Sequence, residues 1–190
     1  MPFFLSNWRR QIQHSLWKRR QQLALCEAIY HGNLKRVQEI VDGGVDLNFE
    51  RDGVSPLCRA VEGINEWTPD ARKIIDYLMA HGASPRSPGN DFLLSIAARV
   101  GESDFIDLAL AAGHDIHLRP KNSTTPLQSA AFRNKAETMK YLIERGATKE
   151  DFDLTRCSWA RIQAPTILVL LDLGVDVPED IAGYVKTGNW

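Results

Sequence analysis

A glycine recurs through this chain at a near-constant interval, each time after an apolar pair. Ile40-Val41 precede Gly44, Leu78-Met79 precede Gly82, Ala109-Leu110 precede Gly113, Leu142-Ile143 precede Gly146 and Leu170-Leu171 precede Gly174. The glycines stand 38, 31, 33 and 28 residues apart, 32.5 on average. A second apolar segment lies upstream of all but the last: Leu25 with Ala28-Ile29, Leu57 with Ala60-Val61, Leu94 with Ala97-Ala98, and Leu127 with Ala130-Ala131. A period of this length marks a chain of stacked supersecondary units, none of which can bury its apolar face alone. Each unit reads as two short helices and a glycine stop, because a helix often ends in a left-handed residue where a side chain is costly. Val45-Asp-Leu-Asn48, His114-Asp-Ile-His117 and Val175-Asp-Val-Pro178 then fit extended fingers joining one unit to the next.

Within this frame, Thr125-Pro-Leu-Gln-Ser-Ala-Ala131 resembles the T-P-L-H-x-A-A motif of the ankyrin-repeat family, with Gln128 in place of histidine. The second unit has Asp52-Gly-Val-Ser-Pro-Leu-Cys-Arg-Ala60, and the first has Ala28-Ile-Tyr-His-Gly-Asn-Leu34 followed by Gly43-Gly44-Val-Asp-Leu-Asn48. The third keeps Ala97-Ala-Arg-Val-Gly101 without the T-P, and the fifth, about 151–178, is degenerate. The resemblance covers roughly residues 22–178 and implies an all-α ankyrin-repeat solenoid of helix-turn-helix units with short hairpin fingers. Its expected units are 23–48, 49–86, 87–117, 118–150 and 151–178. Residues 1–22 form a separate basic amphipathic segment in this reading, and 179–190 a C-terminal tail or cap.

Composition excludes several classes. Hydrophobic residues make up 44% and charged residues 25%, which is globular rather than disordered. Three cysteines, Cys26, Cys58 and Cys157, are an odd count in a long chain, so a reducing compartment is the simplest expectation and the cytoplasm the expected location. No run of 18 apolar residues spans a bilayer, and Arg9 and Arg10 follow the apolar start rather than precede it, unlike a secretory signal. The net charge of −1 hides an asymmetry: +5 over residues 1–22 and −5 over residues 150–180.

The departures from the repeat carry the individuality of the chain. The second unit is longer, with its extra residues around Gly63–Asp70 between its two helices. Thr68-Pro69 reads there as the N-cap and first position of the second helix. Trp67 then either folds over its own repeat or anchors a partner. Phe4, Trp8, Ile12 and Leu16 recur every fourth residue, near one helical stripe. That segment fits a helix capping the first repeat, an interfacial helix on an anionic membrane, or an amphipathic presequence.

Catalytic and metal chemistry are not expected. Cys26 and Cys58 fall at the interior histidine position of the motif, where cysteine acts as a small hydrophobe. His114 and His117 on an extended finger point to opposite faces, poor joint metal ligands and a solvated finger. His81 before Gly82 suits a helix C-terminus. There is no phosphate-binding glycine loop and no Cys-x-x-Cys. No cofactor is expected. The basic segment alone gives salt-sensitive, unspecific nucleic-acid contact at most.

What the resemblance implies is a non-catalytic module that binds a protein partner through the inner helices and fingers. Carried over by position, the partner-binding residues are Tyr30, His31, Arg51, Asp52, Arg99, Lys121, Phe132 and Arg133, with Trp67 added from the insertion. Such a module acts by occlusion, as an inhibitor of the immunity-protein or antitoxin kind, or by bridging. The alternative is a peripheral membrane adaptor anchored by residues 1–22.

Overall fold

The computed structural model describes the backbone of residues 2–65, 68, 70–120 and 123–187, and the side chains of these except 2–10, 65, 184 and 186. Trp67, Lys121 and Pro69 lie outside the described residues. Among the described residues there is no strand, and α-helices follow in order: α1 (Pro2–Tyr30), α2 (Leu34–Asp42), α3 (Pro56–Glu62), α4 (Ala71–Ala80), α5 (Leu93–Val100), α6 (Ser103–Ala111), α7 (Pro126–Phe132), α8 (Ala136–Glu144), α9 (Ala164–Asp172) and α10 (Glu179–Thr187). They fall into two compact units, Met1–Asn90 and Asp91–Trp190.

In the first unit α1 packs on α2 and α3 on α4, with α1 against α3 as inner helices and α2 against α4 as outer ones. In the second, α5 pairs with α6 and α7 with α8, α5 lies against α7, and α8, α9 and α10 follow in series. The fifth repeat has lost its inner helix. Three 3-10 turns, Lys149–Asp151, Leu154–Arg156 and Trp159–Arg161, stand in its place, and α9 is its outer helix.

Local chemistry fixes the helix ends. Asn33, Ser55 and Thr125 cap α2, α3 and α7 by accepting the backbone N–H of Arg36, Cys58 and Gln128 at 3.0, 3.0 and 3.2 Å. Pro56 and Pro126 occupy the first helical position of α3 and α7, where no N–H is needed. The five periodic glycines all have positive φ, from +80° to +106°. Behind Gly82, Gly113, Gly146 and Gly174 the next N–H reaches the carbonyl five residues back, as Ala83 does to Leu78 at 2.9 Å, which closes a Schellman motif.

Two expectations need correction. Thr68 is not the cap of α4. Its carbonyl accepts the Ala71 N–H at 3.1 Å, closing a turn, and the helix starts after Asp70. The fingers are also turned rather than extended. Asp46 Oδ1 accepts the Asn48 N–H and Asp115 Oδ1 accepts the His117 N–H, both at 2.9 Å, so these aspartates form Asx turns. Each turn aims its last side chain at the next repeat. Asn48 donates to Gly82 O at 2.9 Å and accepts from Ser84 N at 2.8 Å. His117 Nδ1 lies 2.9 Å from the buried Asp151 carboxylate. His117 is therefore a finger tie, although the finger is solvated and the His117 side chain half exposed.

The interior position of the motif also links neighbouring repeats. Cys58, fully buried, donates to Asn90 Oδ1 at 3.2 Å, Ser95 to Thr124 O at 3.2 Å, and Gln128 Nε2 to Asp153 O at 2.8 Å. Cys26 is 8% exposed, beside the Arg59 guanidinium; burial raises its thiol pKa, and Arg59 and Arg51 oppose the rise. Burial pushes Cys157 up to about 11. The thiols of Cys26 and Cys157 are thus shifted away from the thiolate form that a nucleophile needs.

No helix break separates residues 1–22 from the first repeat: α1 runs for 29 residues. At about 100° per residue, Leu25, Cys26, Ala28 and Ile29, all buried, point to one side of it. Ile12, Leu16 and Leu23 point roughly 140° away and are 37%, 52% and 40% exposed. The apolar stripe of the N-terminal half is thus not a continuation of the face that packs on the first repeat.

Candidate partner-binding surface

In the first unit the surface is built around a hairpin finger. Arg51 and Val54 exchange backbone bonds at 3.0 and 3.1 Å across Asp52-Gly53, whose φ angles are +55° and +79°. Positive φ at both central residues is the geometry of a type I′ turn, which aspartate and glycine adopt at least cost. Arg59 of α3 ties the finger down, donating from Nη2 to Arg51 O at 3.0 Å and lying 3.6 Å from the Asp52 carboxylate. Arg51 approaches the same carboxylate at 3.7 Å. Arg59 belongs to the site, and its place four residues after Ser55, on the inner helix beside the finger, is the signal that would have found it. Tyr30 ends α1 one helical turn beyond Cys26. It is 77% exposed and meets the His31 ring edge-on at 5.2 Å.

In the second unit Arg99 lies in the last turn of α5, Phe132 ends α7 and Arg133 is its C-cap. Arg99 and Phe132 occupy the same place in successive repeats, directly after Ala97-Ala98 and Ala130-Ala131. Phe132 is 38% exposed. The Asn134 side chain, at φ +56°, donates to Arg161 O at 3.0 Å and accepts from Gln163 N at 2.7 Å, setting the Trp159–Arg161 turn beside Arg133. Arg156 Nη1 donates to Ser123 O at 2.7 Å. Asp153 accepts from Thr155 and pairs with Arg119 at 2.7 Å, and both hold its pKa below the usual carboxylate value.

The outer helices are decorated differently. Asp107 on α6 pairs with Arg145 at 2.8 Å and accepts from Tyr141 at 2.5 Å, which lowers its pKa, and the Arg145 guanidinium lies over the Tyr141 ring. In the first unit Tyr77 donates to Asp42 at 2.5 Å and stacks on His81. These tyrosines brace consecutive outer helices. Among the described residues no group of three or more His, Cys, Asp or Glu could hold a metal ion, and no helix is long and apolar enough to cross a membrane.

Comparison with known proteins agrees with this architecture. Residues 93–179 match the family described as ankyrin repeats (3 copies). The chain is 34% identical to alpha-latrocrustotoxin-Lt1a of Latrodectus tredecimguttatus over 58% of its length and 8% of that protein's. It is 30% identical to ankyrin repeat and KH domain-containing protein mask-1 of Caenorhabditis elegans over 71% of its length and 5% of that protein's. A putative ankyrin repeat protein of fowlpox virus, FPV240, is 29% identical over 66% of the chain and 30% of its own length. The chain thus spans less than a third of the length of each of these relatives. The match identifies residues 93–179 as ankyrin repeats, and the first unit has the same paired helices, glycine stop and finger tie.

Proposed function

We propose that the chain is a non-catalytic module that binds a specific protein partner, and that in the cytoplasm it acts by occluding that partner, as an inhibitor of the immunity-protein kind does. The observation that carries this reading is Phe132, a large apolar side chain left 38% exposed at the end of an inner helix whose neighbours are Arg133 and the Arg161 turn. Aromatic and arginine side chains dominate binding hot spots, and an interface buries such groups in its centre. The fingers are pinned by side-chain bonds, so the surface is preorganised and little conformational entropy is lost on binding. The test is affinity capture from native lysate with the full chain and with an Arg99→Glu, Arg133→Glu variant. One stoichiometric protein is expected with the first and is lost with the second, and the activity of that protein should fall when the full chain is added. Capture unchanged by the substitutions refutes binding on this face.

A second reading is favoured by the outward-turned stripe of α1. Ile12, Leu16 and Leu23, with Arg19 and Arg20 on either side of the stripe and no acid among residues 1–22, suit an anionic bilayer surface, which makes the chain a peripheral adaptor. Cosedimentation with phosphatidylserine vesicles is expected to be lost on Leu16→Asp with helicity unchanged. Equal sedimentation of the variant, or none of the parent chain, rejects it.

A further inference from the structure

Charge is sorted between the two sides of the second unit. Residues 91–190 carry a net charge of −3, yet α5, α7 and the turns Leu154–Arg156 and Trp159–Arg161 contain no carboxylate at all. They present Arg99, Arg156 and Arg161, with Arg133 at the end of α7, and all but the half-buried Arg99 are exposed. Of the carboxylates in the Lys149–Asp151 turn and just after it, Asp151 is engaged by His117 and by the Thr148 N–H at 2.7 Å, and Asp153 by Arg119, while Glu150 is exposed. On the outer helices the sign reverses. Asp104, Asp107, Glu137, Glu144 and Asp172 are exposed there, and the cations Lys140 and Arg145 are each paired with an acid of that same surface, at 2.9 and 2.8 Å.

We infer that the inner face of the second unit takes an acidic protein surface, with an apolar group on it to meet Phe132. This deepens the partner-binding reading above and rests on it. Complementary charge steers encounter and fixes register, and the guanidinium fork matches a carboxylate in two hydrogen bonds. Two of the arginines are positioned by the fold. Arg156 is held on Ser123 O, and the backbone of Arg161 is held by Asn134. A nucleic acid fits less well. A phosphate chain gains by running along extended positive surface, whereas here the cationic row is short and backed by the exposed carboxylates of the outer helices.

The test is selection of random peptides displayed on phage against the immobilised full chain, followed by fluorescence anisotropy of the selected peptides in solution. The expected result is enrichment of sequences rich in Asp and Glu around an apolar residue. Their affinity should fall about tenfold or more for Arg133→Glu, Arg161→Glu and weaken with salt, while Glu144→Lys on the outer side leaves it unchanged. Circular dichroism checks that both variants fold. Acid-poor peptides that are still lost with the arginine variant would leave the binding face standing and overturn the acidic partner. Acidic peptides indifferent to that variant would overturn both. The acidic-protein assignment also fails if no peptide is enriched, or if a single-stranded 20-nucleotide RNA binds more tightly than any peptide at physiological salt.

Discussion

Gly89→Ala is expected to lower the stability of the first unit by about 3 kcal/mol, more than the same change at any periodic glycine. Gly89 has φ +79°, and a Cβ there would stand 2.9 Å from Glu50 Cγ and 3.0 Å from the backbone nitrogen of Ser55. Ser55 cannot yield easily. Its N–H bonds Gly89 O at 2.9 Å, and its side chain caps α3. Left-handed strain and a backbone clash therefore add. At Gly82 the φ is +98°, but nothing lies within 4 Å of the added carbon, so only the conformational cost of about 1–2 kcal/mol remains. Urea denaturation followed by circular dichroism compares the two variants. A midpoint for Gly89→Ala no lower than that for Gly82→Ala contradicts the clash.

The second large effect is expected one residue on. Asn90, 1% exposed, donates from Nδ2 to Ser84 O at 2.9 Å, Ser87 O at 3.1 Å and Ser87 Oγ at 2.7 Å. Its Oδ1 accepts from Ser55 Oγ at 2.5 Å and Cys58 Sγ at 3.2 Å. Asn90→Ala removes all five of these bonds from a buried place, at a cost of about 3–4 kcal/mol. Asn90→Asp keeps the acceptor, loses the donors and buries a carboxylate, so it does not rescue. The check is hydrogen exchange at the Ser55 and Cys58 amides, which should lose protection in both variants. Protection equal to the parent chain in Asn90→Ala shows that the side chain holds nothing together.

The repeat was legible because its signal is written in residues whose job is local. Pro56, Pro126, Ser55, Thr125 and the periodic glycines act within one turn of themselves, and spacing exposes them. Gly89 and Asn90 were not legible. Their partners lie up to 35 residues away, and no period marks them. His117 escapes the sequence for the same reason: its spacing suggests an extended finger, while Asp115 turns the backbone and Asp151, 34 residues on, supplies the partner. At the candidate surface, Arg51, Asp52, Arg99, Phe132 and Arg133 follow from alignment to the motif. Arg59 was within reach of the same alignment, four residues after Ser55, whereas the sorting of charge between inner and outer helices emerges only when the helices are paired in space.

The continuity of α1 has a mechanical consequence. From Ile12 to Tyr30 the helix spans about 27 Å without a joint, so the two residues share one torsional register. Whatever seats on the stripe sets the azimuth of Tyr30 at the far end, as a key sets the bit by turning the bow. One alanine inserted between Leu23 and Ala24 would swing the two ends by about 100° relative to each other, leaving each face chemically intact but no longer pointing where the other requires.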